Sequence, residues 1–298
     1  MRASLAQHAD VSRLEFAAAD LESDAGWAQA VAGCAHALHV ASPFPAAQPR
    51  DAQELVRPAV EGTLRVLRAA CAAGVRRFVQ TSSMVAVMYG HPRDRTAPFT
   101  EADWTNVDDP SVTPYGQSKT LAERAARDFM QNDRSGLHYS SVNPGLVLGP
   151  ALDRDIGTSA AIIQAFLRGK YPGAPRLMIP CIDVRDVARM HRLAIEVDAP
   201  SGARYLGAAD SPWLVEIGRA LREQLGEAGR KAPTRELPDW VIRLFGLFDA
   251  GARLAVPDLG KVLRVDTTLT RRTLGIEFIP ARDAAVAMAR SLIELGLA

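Results

Sequence analysis

Tyr115 and Lys119 stand four residues apart in the run Tyr-Gly-Gln-Ser-Lys, which opens a helical stretch and so places both side chains on one helix face. A phenol ionises near pH 10 and is a poor acid at neutrality. A fixed ammonium beside it stabilises the phenolate and brings proton donation within range. Thr81-Ser82-Ser83 closes a short β-rich run, and in doubly wound parallel sheets ligands collect at such strand ends. A hydroxyl at Ser83 could hold a carbonyl oxygen that Tyr115 protonates. No side chain supplies hydride, so the same chemistry calls for a dinucleotide. Asn143-Pro-Gly-Leu-Val147 ends another run with a Pro-Gly bend that could bring backbone close to a flat ring. Taken singly, each feature has a plainer use, as a chance helix pair, a turn-forming serine or an ordinary turn. His36, His39 and His191 read as packing or surface histidines, and Asp183 and Asp186 as caps of the helix that follows them.

The elements that must position these residues alternate short β-rich runs with longer helical ones, the pattern of a parallel sheet with crossover helices. Strands are expected at 14–18, 37–41, 77–81 and 137–142, and helices at 24–32, 54–73 and 115–131. Gly74 stops the second helix, and Pro58 falls in its first turn, where proline is tolerated. Beyond Pro150 the rhythm becomes more helical: helices at 159–169, 184–197, 214–225, 239–248 and 283–295, with strands at 177–182 and 204–206. The expected fold is α/β, with a doubly wound, Rossmann-like domain over 1–150 and a smaller, mostly helical substrate lobe over 151–298. About 176–197 should return to pack on the first domain.

The 298 residues carry 35 basic against 34 acidic side chains, for a net charge of +1, and 48% of them are apolar. That balance excludes a disordered chain and argues against a nucleic-acid binder. The three cysteines, Cys34, Cys71 and Cys181, show no metal-ligand spacing and read as reduced core residues. No apolar signal-peptide core opens the chain, and no stretch is long enough to span a membrane, so a cytoplasmic location is expected.

Taken in order, Ala19-Asp20-Leu21, His39-Val-Ala-Ser-Pro43, Arg57-Pro-Ala-Val-Glu-Gly-Thr63, Thr81-Ser-Ser83, Tyr115-Gly-Gln-Ser-Lys119, Asn143-Pro-Gly145 and Asp183-Val-Arg-Asp-Val-Ala188 span nearly the whole chain. With these motifs the sequence resembles the extended short-chain dehydrogenases/reductases of the NAD-dependent epimerase/dehydratase type. The branch is that of the dihydroflavonol reductases and cinnamoyl-CoA reductases. The resemblance implies an oxidoreductase that uses NADP, or NAD, to reduce the aldehyde or ketone of a small-molecule substrate, as a monomer or homodimer. It implies that Ser83 orients the carbonyl, Tyr115 donates the proton, and Lys119 lowers the tyrosine pKa and holds the nicotinamide ribose. It places Asp20 and Leu21 beside the adenine and Val40, Ala41 and Ser42 along the dinucleotide. Pro144, Gly145 and Val147 would lie against the nicotinamide, with Ser159 a later contact. A nucleotide-sugar epimerase or dehydratase, or an inactive truncated fragment, are the alternatives.

The sequence departs from the family in two places. The glycine-rich turn that binds the pyrophosphate should precede Asp20 and is absent. Among the 22 glycines no two are spaced i, i+2, and the single i, i+3 pair is Gly226 and Gly229. The expectation is of a chain truncated at its N-terminus, lacking the family's first strand, first helix and second strand. The run at 14–18 should then slide in to pair with 37–41. Second, five residues after Ser83, where the plant flavonoid enzymes carry an asparagine, this chain has Met88, which does not support flavonoid reduction.

Overall fold

Alternating β-rich and amphipathic segments produce a layered α/β molecule, seen in a computed structural model that describes residues 2–43, 49 and 51–298. In chain order the elements are α1 (Arg2–Leu5), α2 (Trp27–Val31), β1 (His36–His39), α3 (Gln53–Ala72), β2 (Arg77–Thr81), α4 (Pro114–Asn132), β3 (His138–Pro144), β4 (Leu146–Leu148) and α5 (Thr158–Arg168). They continue with β5 (Cys181–Asp183), α6 (Val184–Glu196), β6 (Ala203–Gly207), α7 (Leu214–Leu225), α8 (Asp239–Phe245), α9 (Ala250–Ala255), α10 (Thr268–Leu274) and α11 (Ala281–Glu294). A four-stranded parallel sheet runs β1-β2-β3-β6, so a strand from the second half of the chain completes the sheet of the first. β4 and β5 pair separately, also in parallel.

Strand periodicity assigns the two faces of this sheet. Phe78 and Tyr139 face α3 and α4, in a core with Val66, Leu67 and Ala126. Val79, Val142 and Tyr205 face α6, against Met190 and Ala194. Full burial of side chains of this size contributes roughly 1.5–3 kcal/mol each before entropy is counted. The register sets Gln80 beside Ser141 and Ser141 beside Arg204, a polar row on the face that α4 covers.

Several expected elements differ. The run at 14–18 forms no strand and does not pair with β1, whose sheet neighbour is β2. It is held instead by a local turn from Leu14 N to Val11 O and by Arg2, which donates to Leu14 O and lies 5.0 Å over the Phe16 ring. A strand needs a ladder partner, and these local bonds satisfy the segment without one. The first helix shrinks to α2 because Gly26 takes φ 85° just before it. The strand expected at 177–182 shortens to β5, since Pro180 has no N–H to give and Met178 bridges Trp213 instead. The helix expected over 239–248 ends at Phe245, before Gly246. Cys34 is exposed and Cys71 only half-buried, leaving Cys181 as the one described cysteine in the core. Among the described residues no helix is long and apolar enough to cross a membrane, and no group of three His, Cys, Asp or Glu could hold a metal.

Candidate active site

α4 starts on a clear local signal. Thr113 Oγ accepts from Gly116 N as the N-cap, and Pro114 occupies the first turn, where its missing N–H costs nothing. The helix therefore begins just before Tyr115, and Lys119 follows one turn later with its Nζ 5.9 Å from the tyrosine ring centroid. Ser83 leaves β2 in extended conformation and caps the short 3-10 turn Met84–Ala86, its Oγ accepting from Val85 N at 3.3 Å. The Ser83 hydroxyl lies close enough to Tyr115 to act on its phenol. Burial holds the Tyr115 phenol above its ordinary range, and Ser83 pulls it back.

Lys119 is 7% exposed, and burial alone lowers its ammonium to about 8. Among the described residues no carboxylate pairs with it. Its charge is felt by His39, at the end of β1. Burial first and Lys119 second lower that imidazole to about 4. His39 Nε2 lies 3.3 Å from Thr63 Oγ1 on α3. His39 and Thr63, which sequence reasoning left outside the site, thus sit behind Lys119. The expectation of a packing histidine captured the burial of His39 but not its neighbour.

The residues expected around the dinucleotide fall on several elements: the carboxyl ends of β1 and β3, the strand β4, a turn before α2 and the first turn of α5. Val40, Ala41 and Ser42 follow β1, with Val40 61% exposed. Leu21 rests against α3, where a Cβ on Gly62 would meet Leu21 Cβ at 3.0 Å and where Arg65 donates to Leu21 O. Trp27 Nε1 donates to Asp20 O at 2.8 Å, fixing that turn. Leu21 therefore leans on the same turn of α3 that meets His39. Pro144 ends β3, and Val147 lies in β4. Gly145, between them, is required by space: a Cβ there would stand 2.3 Å from Pro180 O. Ser159 stands apart in the first turn of α5. Asp183 caps α6 by accepting from Arg185 N at 2.8 Å, and Asp186 accepts from Ile279 N, both structural tasks. His191 bridges Thr81 Oγ1 at 2.6 Å and Val187 O at 2.8 Å on the opposite sheet face.

A buried carboxylate missed by sequence reasoning lies on the same α4 face, eight residues beyond Tyr115. Glu123 is fully buried and accepts from Arg204 Nε at 2.7 Å, Ser82 Oγ at 2.6 Å, Asn143 Nδ2 at 2.8 Å and Ser141 Oγ at 2.9 Å. Burial alone would raise its carboxyl, but Arg204 and Arg127 outweigh that and hold it below the usual carboxylate range. The spacing of positions 115, 119 and 123 was the available signal.

A cavity of about 540 Å³ lies between Met88 and Tyr89, in the segment that follows Ser83, and the second half of the chain. Its walls are mostly apolar and include Met88, Phe166, Pro180, Leu214 and Phe245, with Tyr89 and Asp258 among the few polar groups.

A model of the NAD dependent epimerase/dehydratase family matches residues 1–206. A ketoreductase of Aspergillus niger is 32% identical over 254 residues, covering 79% of this chain and 74% of its own length. A cinnamoyl-CoA reductase of Medicago truncatula is 35% identical over 215 residues, covering 71% of this chain and 65% of its own, so the chain spans under two thirds of that relative. Among solved structures, the Gre2 protein of Candida albicans in complex with NADPH superposes with a TM-score of 0.73 at 25% identity, over 90% of this chain and 79% of that one. On this match and these motifs, the chain belongs to the NAD dependent epimerase/dehydratase family, in the branch that holds the cinnamoyl-CoA reductases.

Proposed function

We propose that this chain reduces the carbonyl group of a small, uncharged, largely apolar aldehyde or ketone to an alcohol, with NADPH as reductant. The observation that carries the reading is the convergence of Ser83, Tyr115 and Lys119 at the carboxyl end of a parallel sheet, with an apolar cavity lined by Met88 and Tyr89 of the segment that follows Ser83. The kinship with NADPH-dependent reductases supports the same chemistry. The residues on the nicotinamide side fit the cofactor, because Lys119 is a desolvated cation unpaired with any described carboxylate, suited to ribose hydroxyls. Asp20, Leu21, Val40, Ala41 and Ser42 would flank the adenine half, and Pro144, Gly145 and Val147 the nicotinamide, with Ser159 further out. When bound, NADPH supplies the hydride.

The chain's own residues do the rest. Ser83 Oγ donates to the carbonyl oxygen and fixes its orientation. Tyr115 gives its phenolic proton to that oxygen as negative charge develops there. Lys119, one turn away, stabilises the phenolate left behind. Residues 1–150 supply the cofactor side and 151–298 most of the apolar wall. Met88, a flexible thioether side chain, lines the cavity just past the Ser83 turn and favours apolar carbonyl compounds over polyhydroxylated ones.

The test mixes the purified chain and NADPH with a panel of aryl and alkyl aldehydes and ketones, follows absorbance at the nicotinamide band, and identifies the alcohol by mass spectrometry. Turnover of apolar members is expected. NADPH left unoxidised with every member, or conversion of a UDP-sugar instead, overturns the reading.

A further inference from the structure

The buried pair of Glu123 and Arg204 lies behind the proposed site, touching none of the reacting positions. Its hydrogen bonds nevertheless run straight to the turn that carries Ser83. Asn143 Nδ2 donates both to Glu123 Oε2 at 2.8 Å and to the Ser83 carbonyl at 3.2 Å. Ser82 Oγ donates to the same Glu123 oxygen at 2.6 Å. From the other side, Arg204 donates to Ala86 O at 3.2 Å, within the 3-10 turn that Ser83 caps, and to Glu101 O at 3.0 Å. Its guanidinium stacks 3.7 Å over the Trp104 ring. Ser82 directly, Ser83 through Asn143 and Ala86 through Arg204 are thus tied to one carboxylate. That carboxylate sits on α4, the helix that carries Tyr115 and Lys119.

We infer that Asn143, held by the Glu123–Arg204 pair, is a positioning residue for the proposed reduction: it locks the Ser83 carbonyl to α4 and thereby sets the Ser83 hydroxyl against the Tyr115 phenol. The inference rests on the reading of Ser83 and Tyr115 given above. The physical argument is one of tolerance. Ser83 lies where β2 gives way to a short 3-10 turn, whose hydrogen bonds are weaker than those of an α-helix. Left to itself, such a turn allows its first residue to drift, and a misplacement of about 1 Å at a reacting group can cost about a hundredfold in rate. A buried donor with two fixed acceptors removes that freedom, because leaving either acceptor unpaired in a dry environment is unfavourable. The link carries no proton in the reaction, so its loss should act on kcat and leave KM alone.

Asn143→Ala removes the donor and leaves the Glu123–Arg204 pair in place. The expected result is a fall in kcat of about ten- to a hundredfold, with KM close to that of the parent chain and a melting temperature lowered by a few degrees, as the loss of a buried donor requires. The ¹³Cζ resonance of Tyr115 in tyrosine-labelled protein, assigned with Tyr115→Phe, should move as its Ser83 partner drifts. Tyr139→Phe is the control, since it removes a different buried hydrogen bond on the same sheet face, the 2.6 Å bond to Gln80, and should change neither readout. Should Asn143→Ala not fold, Asn143→Ser, too short to reach the Ser83 carbonyl, carries the same readouts. An unmoved Tyr115 resonance with parental kcat, or an equal loss in Tyr139→Phe, overturns the inference. If the parent chain reduces no carbonyl compound, the functional reading fails instead, and the resonance comparison still decides whether Asn143 holds Ser83 against Tyr115.

Discussion

Lys119 Nζ stands 5.9 Å from the ring centroid of Tyr115, one helical turn along α4, and is 7% exposed. A cation so placed acts on the phenol mainly once the phenolate forms, because a neutral ring offers it little charge to attract. The first prediction follows from the phenol. Tyr115→Phe should lower kcat for carbonyl reduction by about 10²–10⁴-fold, while NADPH fluorescence titration shows binding within a fewfold of the parent. Retained turnover would remove Tyr115 from the role of acid.

The ammonium of Lys119 is lowered by burial to about 8, while burial keeps the Tyr115 phenol protonated well beyond that. As pH rises through about 8, the cation that stabilises the phenolate is lost before the acid itself ionises. The kcat/KM profile should therefore fall on its alkaline side with an apparent pKa near 8. Lys119→Arg, which stays charged, should move that limb upward, whereas Lys119→Met should abolish it together with most of the activity. An identical limb in Lys119→Arg would assign it to another group.

His39 is held neutral to about 4 by burial, with Lys119 adding to the effect. An unfolded chain protonates this histidine near 6.5, so between about 6.5 and 4 the unfolded state binds a proton that the folded state refuses. Stability is then full above 6.5 and falls as pH drops towards 4, by about 3 kcal/mol from this residue. Urea unfolding at pH 7 and pH 4.5 should show a steep loss in the parent chain and a smaller one in His39→Gln. Equal losses would place the acid sensitivity elsewhere.

Gly145 is set by space and not by φ, because a Cβ there would meet Pro180 O at 2.3 Å. Leu146 N also donates to that oxygen at 2.8 Å, so the backbone cannot simply retreat. Gly145→Ala should destabilise the chain by about 1–3 kcal/mol, lower its melting temperature by several degrees, and weaken NADPH binding at the nicotinamide side. A melting curve unchanged from the parent would show that the β4–β5 junction yields.

Much of the fold was legible. β2 and α7 fall at the expected residues, and α3, α4 and α6 differ from expectation by a residue or so at their ends. Those segments carry their own signals, such as an N-cap at Thr113 or a stopping glycine at Gly74. The run at 14–18 failed because a strand is defined by its partner, and an apolar alternation cannot announce whether one is available. The shortened strand before Asp183 failed for a related reason, as Pro180 and the bridge from Met178 to Trp213 divide it between two neighbours.

The sequence by itself determined the local relations: the Tyr115 and Lys119 spacing, the Ser83 strand end, the Pro-Gly bend after Asn143, and the order of motifs that marks the family. Each is readable because helix and strand periods convert short spacings into shared faces. Tertiary structure alone decided which distant groups meet those residues. Asn143 and Ser83 lie 60 positions apart, Glu123 and Arg204 81, and His39 and Thr63 24. Such pairs leave no periodic trace, since they are joined only when sheet register and helix packing close chain loops of those lengths.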